Sequence, residues 1–300
     1  MKTQIRHYRL ISVALLLLLL SGCSHLALNS PPSKLSQKRE HKFVQQIINK
    51  EKQFKQKGLW KKHIQEGEKA LAIAQEQKDE RSVMILSIQL ASSWFYLGNS
   101  DACLKSAQKA HSLAIKQSDY QAQIQSLYLI SAAQRSQNNP QTVQTAHQAL
   151  ALCDRFLPDD FGLKAKVLYN LAAAESDIAP LNLSSSEKHL KEAALCYRTA
   201  GMNYEQVRIT RRMAEIQYRR GHYQQAEHTL LSTTQKKNPR EELIYEYQLA
   251  KVQHRLKQWE KAYNTALKAL EKANKLEAQT EIPRLKTLIN AIEHQKFIRH

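Results

Sequence analysis

The sequence predicts an all-α fold built from about six stacked helical hairpins, and three observations lead to this prediction. An alanine-containing apolar segment recurs at a nearly constant interval, turn glycines follow the same interval, and the alternating patterns of β-strands are absent. Gly and Pro number only 7 each among 300 residues, while Ala, Gln, Leu and Lys dominate. This composition is typical of helices, whose interiors Gly and Pro disrupt.

The recurring segment is expected near the end of the second helix of each hairpin. It begins at alanines spaced 40, 39, 44 and 76 residues apart, and Thr233 divides the last interval into 40 and 36. These alanines are Ala70, Ala110, Ala149, Ala193 and Ala269. Gly58 and Gly98 are also 40 residues apart, and Gly221 lies 123 residues, or three steps of 41, beyond Gly98. Both measures predict six hairpins.

The clearest unit spans 246–270 and predicts two helices joined at Leu256 to Gln258. Its small residues allow two helices to approach to roughly 8–10 Å, and its tryptophan follows the turn. These residues are Ala250, Trp259, Ala262, Ala266 and Ala269, and segment 213–230 has a matching pattern. The arrangement resembles the tetratricopeptide repeat, with a small residue in the first helix, an aromatic residue after the turn and Ala-x3-aromatic in the second helix.

A period near 40 is longer than the standard repeat of about 34 residues and predicts extended helices. It resembles the long-helix variety found in peptide-sensing bacterial regulators and kinesin light chains. The resemblance implies a right-handed superhelix over 41–275. The remaining segment, 276–300, has apolar residues on one face and basic residues on the rest, as expected of a capping helix.

The N-terminus resembles a lipoprotein signal peptide, residues 1–22. Lys2, Arg6 and Arg9 precede the apolar run Leu10 to Leu20, which is too short for a membrane span of about 20 residues. The motif that follows resembles the bacterial lipobox: Leu20, Ser21, Gly22 and Cys23. The resemblance implies cleavage before Cys23 and attachment of acyl chains to its sulfur and its new amine.

Several acyl chains would hold the protein on a membrane without a spanning helix. Ser24 follows the cysteine, and by likeness to Gram-negative sorting this favours the outer membrane of the cell envelope, facing the periplasm. Residues 23–40 contain Pro31 and Pro32 and lack periodicity, which predicts a flexible tether before the first helix at His41.

The net charge of +18 falls to +15 when the three basic residues of the leader are removed. Such a field attracts acidic proteins, phosphate-bearing envelope polymers or anionic lipids, although a solvated basic surface is an equal alternative. Nucleic acid is disfavoured because the leader directs the chain to the envelope and no aromatic-basic RNA motif occurs.

A search for catalytic and metal-binding motifs finds none. The sequence contains no HExxH, GxGxxG, GxxxxGK or GxSxG, so nothing positive supports an enzyme, a metal site, a cofactor or a small-molecule substrate. Cys103, Cys153 and Cys196 are spaced like the repeat and are interpreted as small core residues, although an oxidising periplasm leaves a disulfide open.

In tetratricopeptide proteins the first helices line the concave face, with positions two, five, nine and twelve pointing inward. Carried over to this chain, the resemblance implies a partner-binding groove that also includes Glu215 and Ile244. Its basic and aromatic members are Tyr128, Arg135, Lys166, Tyr169, Arg208, Arg211, Tyr218, Tyr247, Lys251 and His254. Arginines bind carboxylates in a forked geometry and tyrosines supply rigid contact area, although a solvated face is an equal alternative.

Two functional hypotheses follow. The first is a lipid-anchored, non-enzymatic scaffold that binds an acidic or amphipathic segment of an envelope protein, in envelope assembly, secretion or cell-wall control. The second is a basic module for an anionic envelope polymer or lipid. Graded salt separates them, because binding dominated by counterions weakens steeply as salt is added.

Overall fold

The computed structural model describes residues 34–178, 183–202, 205–232 and 239–297, with only the backbone described at 34–37 and 296–297. The chain divides into two compact units, Met1–Phe43 and Val44–His300, and the following concerns the second, apart from the start of the first helix. The described residues form thirteen helices and no strand. They are α1 (Lys34–Lys57), α2 (Trp60–Glu76), α3 (Glu80–Leu97), α4 (Ser100–Lys116), α5 (Tyr120–Ser136), α6 (Thr142–Phe156), α7 (Phe161–Ile178), α8 (Leu183–Thr199), α9 (Gln206–Arg219), α10 (Tyr223–Leu231), α11 (Pro239–Arg255), α12 (Trp259–Lys275) and α13 (Glu281–Phe297).

The helices pair in sequence into six hairpins, α1–α2 through α11–α12, and α13 follows as a single helix. This confirms the predicted all-α fold of about six helical hairpins with a C-terminal helix. The turn predicted at Leu256 to Gln258 separates α11 from α12 as expected. At the other end, α1 begins at Lys34 rather than at His41, so it includes the last seven residues of the segment predicted as a tether.

The first helices of the hairpins form the inner layer of the stack. From the second hairpin onward, the first helix of each hairpin packs against the first helix of the next, and α11 packs against α13. Second helices of neighbouring hairpins make no such contact within the described residues. A stack whose first helices touch while its second helices are separated curves toward the first helices.

The alanine-rich segments lie where helices approach most closely. All five alanines that mark the period are fully buried: Ala70, Ala110, Ala149, Ala193 and Ala269. Cys103, Cys153 and Cys196 are also buried, and none of them forms a disulfide. This confirms their interpretation as small core residues. Burial raises the pKa of Cys103 to about 12, which leaves its thiol protonated and unreactive.

The turns repeat more regularly than the glycines alone suggest. A residue with positive φ ends a helix at every twentieth position from 58 to 138: Gly58, Lys78, Gly98, Ser118 and Asn138. The same twenty-residue step joins Gly201 to Gly221 and Lys257 to Glu277. The glycines and Asn138 carry a sequence signal for this left-handed conformation, because Gly has no Cβ and Asn tolerates it, whereas Lys, Ser and Glu carry no such signal.

The curvature of the stack brings its two ends together. A Cβ added to Gly98, in the turn between α3 and α4, would lie 3.4 Å from the main-chain nitrogen of Thr280 and would overlap its hydroxyl oxygen. Lys61 of α2 forms an ion pair with Glu277 in the turn before α13. The turn before the last helix therefore contacts the first two hairpins, a closure that the repeat pattern does not contain.

No helix in the described parts of the chain has the length and apolar character needed to cross a bilayer. The apolar run Leu10 to Leu20 and the lipobox Leu20 to Cys23 lie outside the described residues.

Candidate functional site: a basic cavity enclosed by the first helices

The curved inner layer encloses a cavity of about 920 Å³ within the second unit. Residues of the first helix of every hairpin and of α13 line its wall, and nine of their side chains are basic while five are acidic. The basic residues are Lys52, Lys55, Arg135, Lys166, Arg208, Arg211, Arg212, Arg240 and Arg284, and the acidic residues are Glu51, Asp177, Glu205, Glu241 and Glu281. The cavity is thus net positive, and Trp60, Tyr96, Tyr128 and Tyr169 are among its other lining residues.

The cavity contains six of the ten basic and aromatic residues predicted for the groove. These six are Tyr128, Arg135, Lys166, Tyr169, Arg208 and Arg211. Ile244 lines the wall as well. The other four, from the fifth and sixth hairpins, are outside it: Tyr218, Tyr247, Lys251 and His254.

The four residues lie outside because each first helix presents a different part of its length to the cavity. Helix α5 contributes residues between Tyr128 and Ser136, near its C-terminal end, whereas α11 contributes residues between Arg240 and Gln248, near its N-terminal end. A superhelix displaces successive repeats along its axis, so equivalent repeat positions do not face the same space.

The residues outside the cavity form a separate cluster around Lys251. Its ammonium nitrogen lies 4.5 Å from the ring centre of Tyr218 and 5.6 Å from that of Tyr247. It also forms an ion pair of 3.3 Å with Glu215. Burial raises the pKa of Glu215, but Lys251, Arg212 and Arg219 outweigh it and lower the pKa below its usual value. This basic group is therefore satisfied within the chain.

His254 lies beyond this cluster, toward α13. Its Nε2 is 3.1 Å from Oε1 of Gln295, and its ring packs edge-on against Trp259 with centroids 5.4 Å apart. Both contacts connect α11 to a neighbouring helix, so His254 helps to pack these helices together.

Asp177, at the end of α7, is a carboxylate of the cavity wall that binds three arginines. Its carboxylate accepts hydrogen bonds from Arg135 at 2.9 Å, Arg212 at 3.0 Å and Arg219 at 2.9 Å. Burial raises the pKa of Asp177, but the guanidinium groups of Arg212, Arg135 and Arg219 outweigh it and hold the pKa below its usual range. One acidic residue thus joins α5, α7 and α9.

Two arginines on α9 lie over the phenol ring of Tyr169 on α7. The guanidinium carbon of Arg208 lies 4.7 Å from the ring centre of Tyr169 and that of Arg212 lies 6.0 Å from it. Burial raises the pKa of this phenol, but Arg212, Arg208, Arg211 and Arg135 more than offset it and lower the pKa to about 8. Tyr169 therefore reports a strongly positive potential in this part of the cavity.

Arg211 differs from its neighbours because no carboxylate among the described residues forms an ion pair with it. It is only 5% exposed, its Nη1 donates to the main-chain oxygen of Glu241 at 3.2 Å, and its Nε has no hydrogen-bond partner. Burial lowers the pKa of Arg211, and the charges of Tyr169 and Glu241 oppose this only in part. A buried cation in this state is unfavourable unless an anion joins it.

Sequence reasoning missed several cavity residues, among them Asp177, Arg212 and the contributions of α1, α3 and α13. The Arg211–Arg212 pair was visible, but only one of the two was assigned to the groove. Nothing in the sequence indicates that Trp60 and Tyr96 stack with their ring centres 4.3 Å apart at the edge of the cavity, where the first two hairpins meet.

The described residues contain no group of three His, Cys, Asp or Glu side chains that could hold a metal ion. Among the described residues, the carboxylate of Glu175 accepts a hydrogen bond from the hydroxyl of Ser185 and lies beside the ring of His189, both at 2.8 Å. It is 2% exposed and lies outside the cavity lining, so the cluster joins α7 to α8 in the interior.

Comparison with known proteins supports the assignment of the fold. No protein-family model matches the sequence, and no curated protein sequence matches it either. Among solved structures, the chain is similar to a Rap protein crystallised in complex with competence and sporulation factor. That match has a TM-score of 0.60 and 14% sequence identity, and covers 90% of this chain and 78% of the other. The architecture is thus that of a tetratricopeptide-like helical repeat protein.

Proposed function

We propose that this chain is a lipid-anchored, non-enzymatic scaffold of the bacterial cell envelope, and that its basic cavity binds an acidic or amphipathic segment of another envelope protein. The observation that carries this proposal is the cavity itself: basic and aromatic side chains from every hairpin line one continuous space of about 920 Å³. Cavities of this size with a few convergent charged groups are typical of binding sites.

The chemistry of the wall favours a protein segment. Arginines from several helices are distributed around the cavity rather than collected at one point, and aromatic rings lie between them. An extended segment with spaced carboxylates and apolar groups fits this distribution, because guanidinium groups bind carboxylates and tyrosine rings bind apolar surface. The Rap protein was crystallised with a bound factor, which is consistent with a binding role for this fold.

The proposed anchor rests on the lipobox resemblance at Leu20 to Cys23. Labelling cells with palmitate tests it directly: wild-type protein is expected to carry the label, and Cys23→Ser is expected to lose it and leave the membrane fraction. Label retained by Cys23→Ser would contradict the proposed anchor while leaving the cavity unaffected.

Site-specific photo-crosslinking in cells tests the binding role. A photoreactive residue at Tyr128, in the cavity, is expected to capture a protein through an acidic segment, whereas one at Lys105, exposed on α4, is expected not to capture it. Mass spectrometry of the crosslinked peptide identifies the segment. Capture of lipid or polysaccharide alone at Tyr128, with steep loss of binding in salt, would favour the anionic-polymer or lipid function instead.

A further inference from the structure

Arg211 is a buried cation whose charge the described chain leaves without a paired anion. Its Nε makes no hydrogen bond, and its Nη1 bonds a neutral main-chain oxygen. At the next position, Arg212 is paired with the carboxylate of Asp177 at 3.0 Å. Of these two adjacent arginines on α9, Arg212 therefore has a carboxylate partner in the described chain and Arg211 has none.

The neighbours of Arg211 are arranged around the same part of the cavity. Arg208, one helical turn earlier on α9, lies over the ring of Tyr169, and its Nη1 lies 3.3 Å from a carboxylate oxygen of Glu205. Tyr169, Arg208 and Arg211 all line the cavity. An anion entering there would meet the guanidinium groups of Arg208 and Arg211, one turn apart on α9, and the phenol of Tyr169 on α7.

We propose that Arg211, Arg208 and Tyr169 form a subsite for one oxyanion, a carboxylate or a phosphate ester, carried by the segment that binds in the cavity. This inference rests on the proposed binding function and adds the chemical group that is recognised. A guanidinium also binds an oxyanion end-on through its Nη groups, and Nη2 of Arg211 makes no hydrogen bond within the described chain.

The proposal has a consequence for stability that a structural role would not have. A buried charge without a partner destabilises the unliganded fold, so replacing it by an apolar side chain of similar length is expected to stabilise the protein while removing binding. Arg211→Met is therefore expected to raise the Tm in chloride. Arg198→Met, at an exposed position on α8, is the matched control that removes the same charge.

The first experiment measures thermal unfolding of the purified mature protein at pH 7 in inorganic phosphate and in sodium chloride of equal ionic strength. We expect phosphate at tens of millimolar to raise the Tm of wild type and of Arg198→Met by roughly 2–4 °C relative to chloride, and that of Arg211→Met by nothing measurable. If Arg211→Met does not fold, Arg211→Gln takes its place, since it keeps a hydrogen-bonding group.

The second experiment follows the phenolate absorbance of Tyr169 as the difference between wild type and Tyr169→Phe during a pH titration. The structure gives this phenol a pKa of about 8. An oxyanion beside it favours the neutral phenol, so phosphate is expected to shift the midpoint upward in wild type and not in Arg211→Met.

Two small probes distinguish the two sources of the oxyanion by their effect on the Tm. They are glutamate and phosphoserine, each acetylated and amidated, and each is compared with its neutral counterpart, glutamine or serine. Stabilisation by the glutamate derivative assigns a carboxylate, and stabilisation by the phosphoserine derivative alone assigns a phosphate ester. An equal phosphate effect on wild type and Arg211→Met, or no effect on either, would overturn the subsite. A protein crosslinked at Tyr128 would still stand in that case, so the two proposals fail separately.

Discussion

Asp177 and Arg211 are less than one hairpin apart in the cavity wall, yet they differ in whether the described chain supplies a side chain of opposite charge. Asp177 accepts hydrogen bonds from three arginines of α5 and α9, whereas Arg211 has no carboxylate partner in the described chain. Both groups are largely shielded from water, with 23% of the Asp177 side chain and 5% of Arg211 exposed. Burial alone therefore does not distinguish a structural charge from a functional one.

The difference shows which charges hold the fold together. A buried carboxylate surrounded by guanidinium groups stabilises the native state, because removing one partner leaves the others buried and unbalanced. A buried guanidinium without an anion works against the native state, which is the reason for the oxyanion subsite proposed at Arg211. The Asp177 side of the cavity is thus interpreted as structural and the Arg211 side as a binding surface.

Replacing Asp177 by asparagine should give the largest effect. Asp177→Asn keeps the shape of the side chain but leaves Arg135, Arg212 and Arg219 without their shared counter-charge. We expect the free energy of unfolding in urea at pH 7 to fall by about 2–4 kcal/mol. The matched control is Asp154→Asn, at a more exposed ion pair with Lys164, which should cost about 0–1 kcal/mol. Equal losses in the two variants would remove the distinction between the two sides of the cavity.

The contribution of Asp177 should also disappear in acid. Its pKa is lowered in the folded protein, so the stability it supplies is fully present above the pKa of an unfolded aspartate, about 4, and is lost as the pH falls through the folded value. The difference in unfolding free energy between wild type and Asp177→Asn should therefore stay constant from about pH 7 to pH 5 and shrink below about pH 4. A difference that grows in acid would contradict the structural role of this carboxylate.

A smaller effect is expected at the contact that closes the cavity. Gly98 and Gly221 have nearly the same positive φ, 82° and 81°, but only Gly98 lies against Thr280, and nothing lies within 4 Å of a Cβ at Gly221. Gly221→Ala should cost about 1 kcal/mol from backbone strain alone, and Gly98→Ala should cost about 1 kcal/mol more. The additional loss of unfolding free energy at Gly98, measured by urea unfolding, reports the contact with Thr280. This contact closes the cavity that contains Asp177 and Arg211. Equal costs would mean that Thr280 moves aside freely.

The repeat could be predicted because it follows from a local steric requirement. Ala70, Ala110, Ala149 and Ala269 stand wherever two helices must approach closely, and a larger side chain at such a position would separate them. The start of the first helix was predicted less well, since Lys34 to Glu40 are polar and carry no periodic apolar signal.

The cavity could be predicted only in part, for a different reason. Tyr128, Lys166 and Arg208 were found because they occupy inward positions of the repeat, but Lys251 and His254 occupy equivalent positions and lie elsewhere. Whether an inward position reaches the cavity depends on the accumulated displacement of successive hairpins. That displacement is a property of the whole stack and cannot be read from one repeat.

The sequence by itself determined the helical hairpins, their number and their buried alanines, because side-chain size at each repeated position decides whether neighbouring helices can pack closely. The tertiary structure alone decided that Asp177 accepts hydrogen bonds from arginines 42 residues before it and 35 and 42 residues after it, that Gly98 lies against Thr280, and that Arg211 has no carboxylate partner in the parts of the chain that the structure describes. Local packing follows from side-chain size, whereas the balance of buried charge depends on which distant surfaces the curvature of the stack brings together.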